Sequence, residues 1–335
     1  MRVDGDAAIA PAVERTLGKG EVACSNHAGS TISLPNYHSR LNSRWWQAMP
    51  FRSIIISLAF ALSLATGGMA WAESTSQGGG GTVDAAGKNS SQPIIHTQPG
   101  RFSIEVQLAG PAPAPTVILS HGSGGLWKHQ RNWAASLIEA GYNVAMMDHF
   151  TEKGVEPHVS KVDIRTVPEE RVKDMLATAS WVMAQQWHKG KLGVIGFSQG
   201  GSGVNLLANT RMLKNLKLAE GYDLSIFGAL VSYYPGCGIP FGGTPDLPYV
   251  PIQLHLGKLD ALAEVMWCET GFRKNENLEI FIYPNAHHSF DVEVKDWKKI
   301  GFIPATGRMW EAKIDPDANK KSRERVFAHL DKHLK

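Results

Sequence analysis

The sequence predicts an α/β fold, a mostly parallel central sheet with helices on both faces. Two observations carry that expectation. From Arg101 onward, short β-branched runs alternate with longer amphipathic stretches, and strands separated by helices imply parallel neighbours covered on both sides. Some of the runs, such as Lys191–Phe197 (KLGVIGF), are continuously apolar, as strands buried on both faces are.

Taken in order, Phe102–Leu108 alternates apolar and polar residues like a half-exposed strand. Thr116–Leu119 is a compact apolar strand that ends at the turn His121-Gly122-Ser123-Gly124-Gly125. Trp127–Ala140 is helical by period, with Trp133, Leu137 and Ile138 on one stripe, and Tyr142–Met147 is a strand again. The next helix opens on a capping box, Thr166-x-x-Glu169, has Pro168 in its first turn, and lines up Val172, Leu176, Ala179, Met183 and Trp187. Strand Lys191–Phe197 leads into a helix reaching about Thr210. Gly228–Tyr234, Pro251–Leu256 and Leu278–Tyr283 are further strands, and Pro316–Leu334 is a helix with Val326, Phe327, Leu330 and Leu334 at helical spacing. Sheets of this kind place their ligands beyond the C-terminal ends of strands.

The chain has 335 residues, 43% of them apolar and 19% charged, a balance that supports a buried core. Its 34 Lys+Arg and 31 Asp+Glu give +3 with no basic block, unlike a mainly electrostatic nucleic-acid binder. Three cysteines exclude a disulfide-dense mini-scaffold and a four-cysteine zinc site.

The greasy run Ile54–Ala65 is preceded by Arg52 and followed by Ala70-Trp71-Ala72. It is shorter than the ~20 residues that span a bilayer. Charge, apolar core and small-x-small exit predict a secretory signal peptide over 49–72, cleaved after Ala72, instead of a buried core helix. The start is expected at Met49, with residues 1–48 an over-long reading of the frame; a signal anchor keeping its N-terminal tail is the alternative. Ser74–Pro93 is Gly- and Ser-rich, which places a flexible linker over 73–97 and the folded domain over 98–335. The expected location is the periplasm or the exterior, with no stable membrane span after cleavage.

Gly196-Phe197-Ser198-Gln199-Gly200 fits G-x-S-x-G between a buried-type strand and a helix. A sharp strand-to-helix turn lifts the serine hydroxyl clear of the sheet and points a helix N-terminus at it. Serine needs a base, and the base needs a carboxylate to orient it. Asp260 lies just past strand 251–256, and His287-His288 lie past strand 278–283, so both loops open on the same sheet edge as Ser198. His288 is favoured over His287 as base, and Asp260 over Asp291 as acid, because Asp291 follows the histidine too closely to sit on a separate strand end. The oxyanion is expected to meet the backbone N–H of Gln199 and of Ser123, with Gly124 next in line. The 120–125 turn lacks a P-loop lysine and a third glycine at dinucleotide spacing. His121 reads as a partner for nearby loop backbone. His-Glu-x-x-His does not occur and the remaining histidines are scattered, so neither metal nor cofactor is expected.

These motifs together resemble the dienelactone hydrolase family of α/β-hydrolases. The resemblance covers roughly Arg101 to Leu334 through SHGSGG, MDHFTEKG (147–154), GFSQGG, YYPGCG (233–238), GKLD and YPNAHHSFD. It implies Ser198 as nucleophile, Asp260 as acid and His288, two residues before Phe290, as base. The name-giving members use cysteine as nucleophile, so their lactone substrate does not transfer to this chain. The function expected is a secreted hydrolase of carboxylic esters or lactones working through an acyl-serine. A serine peptidase of the same fold and an inactive secreted binding module are the alternatives. Export would remove Cys24 and leave Cys237 and Cys268, each close behind a strand end, as an expected disulfide.

Overall fold

Each strand of the central sheet sends alternate residues to opposite faces, and the sequence supplies apolar side chains for both. In the computed structural model Ile118 faces one core while its neighbours Val117 and Leu119 face the other. The structure describes residues 95–98, 100, 102–155, 167–237, 247–263, 265–271, 275–303 and 307–335. The expected leader, most of the linker and the Thr166 cap lie outside them.

The chain runs β1 (Ile95–Thr97), β2 (Ser103–Gln107), β3 (Thr116–Ser120), α1 (Lys128–Glu139), β4 (Asn143–Asp148), α2 (Val167–Met183), β5 (Leu192–Phe197), α3 (Gln199–Leu207) and α4 (Thr210–Asn215). It continues with β6 (Phe227–Tyr233), β7 (Ile252–Gly257), α5 (Val265–Gly271), β8 (Leu278–Tyr283), β9 (Lys298–Ile303), β10 (Arg308–Lys313) and α6 (Pro316–Leu334). Eight strands form one sheet in the order β1-β2-β4-β3-β5-β6-β7-β8. From β4 to β8 every pair is parallel, while β1 and β2 pair antiparallel. This is the α/β-hydrolase fold class read from the sequence.

Three details differ from the sequence reading. Ile95–Thr97, placed in the linker, pair with Ile104–Val106 as an edge strand, so the ordered body begins by residue 95. The helix after β5 stops at Leu207, and Asn209 caps a separate short helix, its side chain accepting from Met212 N. The hairpin β9–β10 was not foreseen; its strands are exposed or half-buried nearly throughout.

Helices α2 and α3 cover one face with Val172, Met175, Leu176, Val204 and Leu207. On the other face α1 and α6 bury Trp133, Leu137, Val326, Leu330 and Leu334. Leu334, in the last turn of α6, sits over Gly193 of β5 and Gly228 of β6, where a Cβ would stand 2.9 and 2.8 Å from its methyls. The chain leaves β3 for β4 on one side and continues into β5 on the other. At such a reversal, here at the C-terminal ends of β3 and β5, sheets of this kind hold their ligands.

Candidate active site

The two turns the sequence singled out meet at the C-terminal ends of β3 and β5. After β5 the chain bends sharply at Ser198, which holds φ 53° and ψ −112°, a left-handed region that a non-glycine residue occupies only under constraint. The constraint is visible: Ser198 N donates to Tyr233 O at 3.0 Å, and Ser202 N donates back to Ser198 O at 2.9 Å. Gly200 lets the turn close, because a Cβ there would lie 2.2 Å from Ser120 O. From the β3 side Gly122 lies directly against Ser198, its would-be Cβ 3.1 Å from Ser198 Cβ.

Asp260 follows β7 in a tight turn, its N–H donating to Gly257 O at 3.2 Å. Its Oδ1 accepts from Leu262 N at 2.8 Å and Ala263 N at 3.0 Å, which fixes the buried carboxylate. Its Oδ2 lies 2.7 Å from His288 Nδ1, and His288 Nε2 lies 3.0 Å from Ser198 Oγ. With a carboxylate on Nδ1, the ring carries its proton there and turns a lone pair toward the serine hydroxyl. The structure thus brings Ser198, His288 and Asp260 into one hydrogen-bonded line.

The neighbouring candidates go elsewhere. His287 is half-buried and turned toward β10, with Nε2 3.5 Å from Glu311 Oε2. Asp291 accepts from His129 Nε2 at 3.0 Å, Trp133 Nε1 at 2.8 Å and the Tyr234 hydroxyl at 2.7 Å. Burial alone would raise its pKa, yet His129 and these donors outweigh burial and hold Asp291 below the usual carboxylate value. Asp291 pins the loop that carries His288, and the Tyr234 ring stands 4.7 Å from the His288 ring.

Gln199 is the first residue of α3, so its N–H has no acceptor within the helix. Ser123 lies in the half-buried turn after β3, one residue beyond the Gly122 that abuts Ser198. Cys237, after β6, and Cys268, in α5, are joined in a disulfide with their Cα atoms 4.9 Å apart. It ties the helix following Asp260 to the loop following β6.

Sequence reasoning missed a polar layer beneath the two turns. His149 Nδ1 donates to Asp174 Oδ2 at 2.7 Å and its Nε2 lies 2.9 Å from Ser120 Oγ. Lys153 Nζ shares the same Asp174 oxygen at 2.7 Å. His149 N donates to His121 Nε2 at 3.1 Å, leaving His121 Nδ1 to donate to Gly122 O at 2.6 Å. Burial, then the nearby Arg171 charge, push both imidazoles well below their ordinary value. Arg171, itself buried, stacks on Phe150 and donates to Gln199 Oε1 at 3.3 Å. One signal was present: Arg171, Asp174 and Thr178 lie at i, i+3 and i+7, on the inward face of α2. No group of three or more His, Cys, Asp or Glu suited to a metal ion occurs among the described residues.

Comparison with known proteins agrees with this architecture. Dienelactone hydrolase from Anabaena variabilis superposes with a TM-score of 0.52 at 17% identity, covering 73% of this chain and 99% of that one. The dienelactone hydrolase-like promiscuous phosphotriesterase P91 from metagenomic libraries gives 0.50 at 15% identity, covering 73% and 95%. No curated protein sequence matches. The model of the dienelactone hydrolase family matches residues 104–334, the stretch that holds both turns and all three strand-end loops, and the chain belongs to that family.

Proposed function

We propose that this chain is an exported serine hydrolase that cleaves carboxylic esters or lactones through an acyl-serine, with a hydrolase domain that includes β1 and so takes in residues 95–335. One observation carries the reading: the continuous path from Ser198 Oγ through the His288 ring to Asp260, at 3.0 and 2.7 Å. His288 Nε2 takes the hydroxyl proton as Ser198 Oγ bonds to the carbonyl carbon. Asp260 holds the imidazole tautomer and stabilises the imidazolium that forms. The N–H groups of Gln199 and Ser123 receive the oxyanion, and the N-terminus of α3 adds its positive end. As the tetrahedral centre collapses, His288 returns the proton to the leaving alcohol; a water, deprotonated by the same imidazole, then releases the acid and restores Ser198.

Export rests on the leader-like segment before residue 73 and gains support from the Cys237–Cys268 disulfide, a bond favoured in oxidising compartments. The test is labelling by a fluorophosphonate probe together with turnover of short p-nitrophenyl esters. Both are expected in the wild-type chain, with the adduct on the Ser198 peptide. Unchanged labelling and turnover in Ser198→Ala would refute the assignment. Sequencing the N-terminus of exported protein is expected to read from Glu73.

A further inference from the structure

The turn after β3 is built around one buried ring. His121 has no exposed surface, and the His149 and Phe150 rings meet it edge-on, their centroids 5.0 and 4.7 Å away. Its neighbours fix its tautomer. A backbone N–H can only donate, so the bond from His149 N at 3.1 Å requires a lone pair on His121 Nε2. The proton therefore sits on Nδ1, which donates it to Gly122 O at 2.6 Å. Burial, then the Arg171 charge, hold this imidazole well below its ordinary value, so it keeps the neutral form at neutral pH.

Gly122 O belongs to the peptide whose other end is the Ser123 N–H. A trans peptide is planar, with its C=O and N–H pointing in opposite directions, so whatever grips the oxygen aims the N–H. Two donors grip it: His121 Nδ1, and Gly125 N across the turn at the longer distance of 3.3 Å. The Ser123 N–H itself meets no acceptor among the described residues. This peptide stands at the nucleophile, since a Cβ on Gly122 would lie 3.1 Å from Ser198 Cβ and 3.8 Å from Ser198 Oγ. Held fast at its rear and unpaired in front, such a donor stabilises developing negative charge without having to rearrange.

We propose that His121 is a positioning residue of the oxyanion hole: by pinning Gly122 O it aims the Ser123 N–H at the oxyanion and, by polarising the peptide, strengthens it as a donor. This role rests on the serine-hydrolase reading and deepens it. A purely structural role for His121 would reside in its other bond, the one accepted from His149 N, and the two bonds can be separated.

Two substitutions separate them. In His121→Asn the amide nitrogen stands where Nδ1 stood and donates to Gly122 O, while nothing reaches His149 N. In His121→Gln the longer side chain puts its amide oxygen where Nε2 stood, accepting from His149 N and leaving Gly122 O to Gly125 alone. His121→Gln is expected to lose about 10²-fold in kcat on short p-nitrophenyl esters, with KM within about twofold of wild type. Its affinity for an aryl boronic acid, which forms an anionic tetrahedral adduct on Ser198, should fall by a similar factor. His121→Asn is expected to melt earlier than His121→Gln, yet to keep kcat within about fivefold of wild type below its melt. Wild-type kcat in His121→Gln, or a kcat that simply follows melting temperature across the two variants, overturns the proposal; an inactive Ser198→Ala beside that result leaves the triad standing. Should His121→Asn fail to fold, His121→Gln alone decides, through kcat against KM. Full turnover in Ser198→Ala would remove the hydrolase reading and this role with it.

Discussion

At the rim of the sheet Ser198, His288 and Asp260 are linked at 3.0 and 2.7 Å; one layer below, Ser120, His149 and Asp174 are linked at 2.9 and 2.7 Å. The residue types and the ring nitrogens used are the same, and the distances agree to 0.1 Å. Their surroundings are not. Ser120 is a strand residue of β3 with no exposed surface, and Asp174 also holds Lys153. Ser198 sits partly exposed on a constrained turn at a helix N-terminus, and all its partners come from strand-end loops. Hydrogen-bond geometry alone therefore does not define a nucleophile. Access to a substrate, and N–H groups aimed at where negative charge develops, separate a reactive set from a structural one.

The strongest way to break this comparison is to remove each serine. Ser198→Ala is expected to lower kcat by about 10⁴-fold or more and to abolish fluorophosphonate labelling, and Asp260→Asn to cost on the order of 10⁴-fold in kcat by releasing the imidazole tautomer. Ser120→Ala should leave labelling intact. If the two serine variants lose activity equally, the distinction drawn here is wrong.

Acid probes the lower layer together with two other buried histidines, His255 and His329. Burial holds His255 at about 3 and His329 at about 4, and His121 and His149 also lie well below 6.5. Below pH 6.5 the unfolded chain therefore binds protons that the folded chain refuses, and stability falls as pH drops. At a pH near 5.5 each such histidine costs about 1 kcal/mol. Thermal melting between neutral and mildly acidic pH should show this decline before carboxylates titrate, and His149→Gln should lessen it by one histidine's share.

A third test weakens only what staples the rim. Replacing Cys237 and Cys268 by alanine should cost about 3 kcal/mol, in line with a loop of this length, read by urea midpoint. The double variant is expected to lose ester turnover on warming before wild type does, because α5 and the loop after β6 are released together.

The smallest expected effect is structural. Ser120→Ala leaves a buried His149 nitrogen without its partner, worth about 1–2 kcal/mol, a melting shift of a few degrees that activity below the melt should not follow.

Much of this was legible from sequence because strands buried on both faces leave continuous apolar runs and amphipathic helices leave a period. Ser198, Asp260 and His288 could be brought together because all three follow strands on one edge, so topology alone makes them neighbours. The lower layer was hidden for the opposite reason. Ser120, His149, Lys153 and Asp174 come from separate elements with no shared spacing, and only the inward face of α2 betrayed a polar interior. The hairpin escaped notice because Lys298–Ile303 reads KKIGFI, with a charge where a buried strand would be apolar and an apolar residue where an exposed one would be polar.

The seat of Leu334 over Gly193 and Gly228 has a consequence for how the molecule is made. Two central strands finish their packing against a side chain synthesised more than a hundred residues after them, so during translation the middle of the sheet waits for residue 334. Shortened transcripts and ribosomes stalled before residue 334 would leave that notch unplugged, which sets a hard limit on trimming the last turn of α6.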